Sequence, residues 1–327
     1  MKKNPMRITA EMQSKKNILI IKLGAFGDII MAEGAIHDIR NNYKNDHISV
    51  LTTPAYKKIF ERCPWVDEIL IDPRDPRWRL DLMRKLNRRI GFDNFDVIFD
   101  LQWANRTSFY FRWFGKKASW SGKEPGCDFP FTVPPSKKKT SVFEKFAIQL
   151  SSAGLTVTHT LSPDLSWFVD DVSELLDEAK VVDPYVVLLA GASARRTEKC
   201  WPYYDKLAEK LIADGICVVT VPGPDDFDLC CTIPGIMLTG PHKYLNFFQL
   251  AGVLQKAAYV VGNDSGPSHL ASHLGVPGLA LFGGHIPAYR TGIEHDNFKC
   301  IEAEKMDLIP VEKVYSEIQK TINKLTA

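Results

Sequence analysis

The chain of 327 residues is 45% hydrophobic and 24% charged, a composition that excludes a disordered chain, and its length suits two domains of about 150 residues each. No apolar run approaches the ~20 residues needed to cross a bilayer. The net charge of +2 conceals an asymmetry, because residues 1–165 hold 27 basic and 18 acidic side chains and the remainder 14 and 21, so the first half is suited to an anionic partner.

Residues 1–16 form a polar extension without the apolar segment of a secretory signal, which predicts a cytoplasmic protein. Asn17–Leu23 is a short apolar run rich in β-branched residues and reads as a buried parallel strand. Glycines follow at once, then a helical pattern from Asp28 to about Asn41. His47–Thr52, Ile69–Ile71 and Phe95–Asp100 are further strands, with a helix over Leu80–Arg89 between the last two. Glu144–Ala153 reads as a helix closing this half, and residues 156–183 as a linker region. The pattern then restarts: strands at Tyr185–Ala190, Ile216–Val221 and Tyr259–Gly262, a last strand at Gly278–Phe282, and helices at Tyr203–Asp214, Leu245–Lys256, Ser268–Leu274 and Val311–Leu325. Alternation of strand and helix in both halves predicts an α/β protein of two Rossmann-like, doubly wound parallel-sheet domains, 17–165 and 166–327, facing a cleft. The seven cysteines are scattered, with no CxxC pair, as expected of reduced thiols.

Two glycine-acid loops fall at strand ends, where ligands bind in such sheets. In Gly24-Ala25-Phe26-Gly27-Asp28 the glycines let an anion approach the free N–H groups of a helix start. The spacing is GxxG followed by Asp, so the dinucleotide fingerprint is absent. Asp28 serves there either as a helix cap or as a carboxylate placed to take a proton. In Gly262-Asn263-Asp264-Ser265-Gly266-Pro267-Ser268-His269 a strand ends in a tight turn and a helix begins near Pro267. Ser265, Gly266 and Ser268 offer donors to a diphosphate, and His269 stands one turn inside; the alternative is a capped helix with a satisfied histidine.

The segment GNDSGPSHLASHLGVP is similar to the D-[ST]-G-x-x-H-[LI]-A element of glycosyltransferase family 9, the bacterial heptosyltransferases. IIKLGAFGDIIMAEGAI resembles the start of that family, and Lys199-Cys200-Trp201-Pro202 resembles its K/R-x-W-P element, with Cys200 where a basic residue is frequent and Ser265 where threonine is common. The resemblance implies a GT-B fold, an N-terminal acceptor domain, a C-terminal nucleotide-sugar domain and a terminal helix that packs back on the first. It implies inverting, metal-independent transfer from an ADP-heptose donor to the inner core of lipopolysaccharide, with no cofactor. Asp28 matches the catalytic base, with Gly24 and Gly27 shaping an anion or acceptor loop. Lys199 matches the lysine that contacts the donor phosphates, Asp264 the acid that touches the donor sugar, and Ser265, Gly266 and His269 the diphosphate positions. Ser193 is a further phosphate candidate, and Asp226 matches an acid near the donor ribose. Asp226-Phe227-Asp228 has DxD spacing, yet its GT-B-like surroundings argue against a metal. Trp201 is expected to anchor its loop by packing.

Arg74, Arg77, Arg79, Arg84, Lys85, Arg88 and Arg89 crowd one loop and helix, with Lys137–Lys139 as a second basic run. They form either a solvated face or, with Trp78 and Arg106, a surface for an acidic glycolipid at the inner membrane. Nucleic acid is not expected, because the charge is near neutral and no recognition motif occurs. A monomer is expected. The competing functions are another GT-B transferase or a sugar-nucleotide epimerase, and a non-catalytic nucleotide-sugar-binding protein.

Overall fold

The computed structural model describes residues 15–134, 139–191 and 197–325. The first half holds strands β1 (Asn17–Ile21), β2 (His47–Thr52), β3 (Glu68–Ile71), β4 (Val97–Asp100), β5 (Ser119–Gly122) and β6 (Phe129–Pro130). Its helices are α1 (Phe26–Asn42), α2 (Lys57–Arg62), α3 (Leu80–Ile90), α4 (Asn105–Trp113) and α5 (Val142–Ser152). After a short helix α6 (Ser173–Glu178) come β7 (Tyr185–Leu189), β8 (Cys217–Thr220), β9 (Ile236–Met237), β10 (Tyr259–Asn263), β11 (Gly278–Phe282) and β12 (Phe298–Glu302). They alternate with α7 (Tyr204–Ala213), α8 (Phe227–Cys231), α9 (Phe247–Lys256), α10 (Gly266–His273) and the terminal α11 (Val311–Leu325). None of the described helices is long and apolar enough to cross a membrane.

Each half forms a six-stranded sheet, β3-β2-β1-β4-β5-β6 and β12-β11-β10-β7-β8-β9. All the pairings within both sheets are parallel. Numbered within each half, both orders are 3-2-1-4-5-6, the doubly wound arrangement whose ligand crevice opens where the order reverses. Those reversals lie between β1 and β4 and between β7 and β10, at the loops that follow Ile21 and Asn263.

Alternation along the central strands sends side chains to opposite faces. Leu19 and Ile21 meet Met83, Leu86 and Tyr110 under α3 and α4. Ile18 and Ile20 join a larger core that runs through α1 and α10 to Val187, Leu189 and Val260 of the second sheet. The two domains therefore share one apolar core on their facing sides. Val186, Leu188 and Val261 face outward onto α7.

Two expectations change. Gly278–Phe282 is not the last strand, because β12 extends that sheet by one. α11 was expected to return to the first domain; instead Val314, Ile318 and Ile322 complete the outer core of the second, beside Leu207 and Leu211 of α7. Their four-residue spacing gives one apolar stripe, and the uncovered outer face of β10 and β11 takes it. The first fourteen residues of the polar extension, and Lys137 and Lys138, lie outside the described residues.

The linker is tied to α1 by Asp38. Its buried carboxylate accepts bonds from the Thr158, His159 and Thr160 amides and from both threonine hydroxyls. Burial alone would raise this carboxyl, but the bonds from Thr160, His159 and Thr158 outweigh it and hold the group below the usual carboxylate range. Asp38→Ala strands several buried donors and is expected to cost about 3–5 kcal/mol in urea unfolding; a loss under about 1 kcal/mol would contradict this account. A depressed folded pKa stabilises above the unfolded value, so the stabilisation is lost as pH falls through about 4 and below. The variant should accordingly show a flatter acid limb than the parent.

Candidate active site

Gly24 sits just beyond β1 with a φ of +118°, and a Cβ there would lie 2.4 Å from the Tyr56 ring. Only glycine suits that backbone, and the Tyr56 ring covers it. α1 then starts at Phe26, and Asp28 stands in its first turn, half-buried, with Oδ2 accepting the Ala25 N–H at 2.8 Å. This is half of a capping box. Among the described residues Asp28 makes no other hydrogen bond, so one carboxylate oxygen is committed to the cap and the other is not.

The second loop meets the first directly. A Cβ on Gly27 would lie 3.2 Å from the Gly266 Cα and from the His269 ring, and one on Gly266 would lie 2.7 Å from Phe26. Larger residues at either position would push the halves apart. The N-termini of α1 and α10 converge here, and their free N–H groups and dipoles both favour an anion.

Asn263, wholly buried at the end of β10, holds this loop to the Lys199–Pro202 segment. Its Oδ1 accepts from the Trp201 amide at 3.0 Å and the Tyr204 hydroxyl at 3.1 Å, and its Nδ2 donates to the Ala190 carbonyl at 2.8 Å. Trp201 is 2% exposed and donates its indole N–H to the Ile309 carbonyl, so it anchors the loop by packing. Ser268 Oγ donates to the Asn263 carbonyl at 2.6 Å and contacts Ser265 Oγ at 3.2 Å. Gly262 leaves room for this, since a Cβ there would be 2.2 Å from Ser268 Oγ.

Asp264 is the electrostatic centre. Lys199 Nζ lies 2.5 Å and His285 Nε2 2.8 Å from its Oδ2, and His269 Nε2 lies 3.5 Å from its Oδ1. Burial would raise the carboxyl, but hydrogen bonds from His269, Lys199 and His285 outweigh it and hold the group well below the usual range. Asp264 is therefore a carboxylate. His269 Nδ1 is buried with no partner among the described residues.

Lys199 and Asp264 line a cleft of about 500 Å³ with Phe26, Tyr56, Gly191, Phe247, Ser265 and Gly266. It continues into a slot of about 220 Å³ walled by Leu189, Val221, Tyr244, Leu245 and Leu250. Asp226 borders both spaces, with Oδ1 accepting the Gly223 N–H at 2.5 Å and burial pushing its carboxyl up. No group of three or more His, Cys, Asp or Glu able to hold a metal occurs among the described residues. Ser193 lies outside them.

The basic residues divide. Arg106 turns inward, binding buried Asp72 through two bonds of 2.6 Å; its guanidinium is a structural partner, not a free cation facing an acceptor. Arg79 pairs with Asp81, and Arg77 donates to the Asn105 carbonyl. Arg84, Lys85 and Arg88 are exposed along α3. Arg74 is close enough to Tyr56 to oppose the upward push that burial, helped by Asp28, gives its hydroxyl. Trp78 and Trp113 are 76% and 68% exposed.

Three further groups at or beside the site were not singled out from the sequence. Tyr56 and His285 come from other strand ends, which is the positional clue that would have found them. Lys22 is buried at the end of β1, donates to the Leu101 carbonyl at 2.9 Å, and is lowered to about 8 by burial against the pull of Asp28 and Asp100.

Residues 83–317 match the family Glycosyltransferase family 9 (heptosyltransferase). Lipopolysaccharide heptosyltransferase 3 of Escherichia coli is 33% identical over 132 residues, 37% of each chain, so the alignment spans little more than a third of that relative. The glycosyl transferase family 9 structure from Veillonella parvula has a TM-score of 0.75 at 19% identity, covering 94% of this chain and 97% of its own. The E. coli ADP-heptose LPS heptosyltransferase II structure has a TM-score of 0.70 at 19% identity, covering 95% and 100%. These likenesses establish the two-domain GT-B fold. With the family match taking in well over half of the chain, the protein belongs to glycosyltransferase family 9.

Proposed function

We propose that the protein is an inverting heptosyltransferase that moves a heptose from ADP-heptose to the core of a lipopolysaccharide acceptor. The observation that carries this reading is the contact of Gly27 with Gly266 and the His269 ring, which sets the loop of Asp28 against the loop of Asp264 beside the cleft that Phe26, Lys199 and Asp264 line. The donor diphosphate lies on the N-terminus of α10, against Ser265, Gly266 and His269, with its nucleoside in the apolar slot and a ribose hydroxyl near Asp226. The acceptor oxygen attacks the sugar C1 as the free oxygen of Asp28 takes its proton, and the C1–oxygen bond to the diphosphate breaks on the opposite face. One displacement inverts C1. Lys199 and the helix N-terminus meet the charge that develops on the leaving group, without a metal.

The acceptor enters from the side of Tyr56 and Arg74. Arg77, Arg84 and Arg88, with exposed Trp78, give that domain a surface for an acidic glycolipid at the cytoplasmic face of the inner membrane. The protein works as a monomer there.

Thermal-shift titration with ADP, GDP and UDP tests the donor reading. Ligand at a hundred times its Kd stabilises by about 2.7 kcal/mol, so ADP is expected to raise Tm by several degrees while the others do not. A shift with UDP or GDP and none with ADP would show that another nucleotide-sugar is the donor.

A further inference from the structure

Two of the three groups on Asp264, Lys199 and His269, belong to the motifs that resemble the family. The third does not. His285 lies in the turn after β11, Gly283-Gly284-His285, and is twenty-one residues from Asp264 in sequence. Its side chain is 13% exposed and its Nε2 lies 2.8 Å from Asp264 Oδ2. Because Asp264 is a carboxylate, Nε2 carries the proton and donates, which fixes the ring and leaves Nδ1 to face another partner.

That ring lines a second cleft, of about 550 Å³, with Cys200, Pro202, Glu304 and Asp307. The first cleft, holding Lys199, Asp264 and Ser265, lies on the other side. Lys199, Asp264 and His285 are thus the partition between two adjoining spaces along the C-terminal edge of the second sheet. Gly283 and Gly284 keep the floor of the second space bare, and a Cβ on Gly284 would lie 2.8 Å from the Glu304 carbonyl oxygen.

The order of groups along this edge matches the order of parts in a nucleotide-sugar. The apolar slot stands by β7 and β8, the anion-binding helix start at β10, and the polar second cleft at β11 and β12. A sugar whose C1 is held beside the α10 N-terminus has its far carbons directed at the partition. We propose that the second cleft receives the far, hydroxyl-bearing end of the transferred sugar, and that His285 is a specificity-determining residue that hydrogen-bonds it. This rests on the donor reading above. The imidazole Nδ1 and the nearby Glu304 and Asp307 carboxylates offer acceptors for the hydroxyl protons of a polyol tail. A site built to bond a hydroxyl discriminates strongly against an analogue that lacks it.

Calorimetry on the full chain with ADP, ADP-heptose and ADP-mannose, which lacks the seventh carbon and its hydroxyl, tests the assignment. The parent should prefer ADP-heptose to ADP-mannose by about tenfold or more. His285→Ala should reduce that preference to about twofold, with the Kd for ADP changing less than that for ADP-heptose. His285→Leu fills the same space without a hydrogen-bonding nitrogen and should do the same, so a folding defect in the alanine variant does not hide the result. His285→Gln should retain part of the preference. An unchanged preference in both the Ala and Leu variants, or a Kd for ADP that rises as much as that for ADP-heptose, overturns the role of His285 alone. A parent that binds none of the three compounds overturns the donor reading, and His285 with it.

Discussion

Replacing Asp28 by Asn is expected to lower kcat by about 10²–10⁴-fold while ADP affinity and Tm stay close to those of the parent. The substitution separates the cap from the proposed role of this side chain as a base. Asp28 Oδ2 accepts the Ala25 N–H, and the asparagine carbonyl oxygen accepts that bond equally well, so the first turn of α1 keeps its cap. What asparagine cannot do is take a proton from an attacking hydroxyl. Asp28→Ala removes both duties and should add about 0.5–2 kcal/mol of instability to the loss of turnover. Transfer assayed by ADP release, alongside thermal unfolding, reads both effects. If Asp28→Asn turns over within a factor of two of the parent, the cap is its whole role and proton removal belongs elsewhere in the cleft.

Much of the fold was legible because the central strands are continuous apolar runs closed by turn residues. The runs at His47–Thr52 and Gly278–Phe282 coincide with β2 and β11, both buried along nearly their whole length. The edges were hidden for physical reasons. β12, Phe298–Glu302, has one side open and buries only Phe298 and Ile301 among exposed or half-buried positions, so it carries no apolar run. β5 is Ser-Trp-Ser-Gly, with small and polar residues buried in the sheet, and β6 ends in Pro130, which an edge tolerates. α4 buries Thr107, Ser108 and Tyr110, so its inner face does not look apolar.

The site was legible where chemistry is written locally. Glycines beside an acid at the end of a strand announce a loop that needs close approach, and both loops lie at the crevice their positions predicted. The contacts between loops were not legible, because they join residues far apart in the chain. Lys199 reaches Asp264 across 65 residues, and Tyr56 meets Gly24 only through a turn on β2. Nor does a basic run reveal which arginines are free: Arg106 is spent on Asp72, whose burial depends on how β3 and α4 pack.

The Lys199–Asp264 pair leads to the second large effect. Lys199 Nζ is bonded to Asp264 at 2.5 Å, and the pair is largely buried. A diphosphate on α10 would draw the ammonium away, so donor binding and the ion pair compete for one charge. Lys199→Met is expected to weaken ADP binding about tenfold or more and to lower kcat/KM for the donor by about 10²–10³-fold, the scale for removing one group that stabilises developing charge. Asp264→Asn should act in opposite directions on the two measurements. It releases Lys199, so ADP binds at least as tightly as in the parent, yet turnover should fall on the proposed role of Asp264 as the carboxylate that touches the donor sugar. In the double variant the gain in ADP affinity from Asp264→Asn should vanish, since the lysine it releases is gone, and the two effects will not add. ADP binding by Lys199→Met equal to that of the parent would sink this scheme: the lysine would then be a partner that holds Asp264 in place, and the charge on the leaving diphosphate would fall to the N-terminus of α10 and His269 alone.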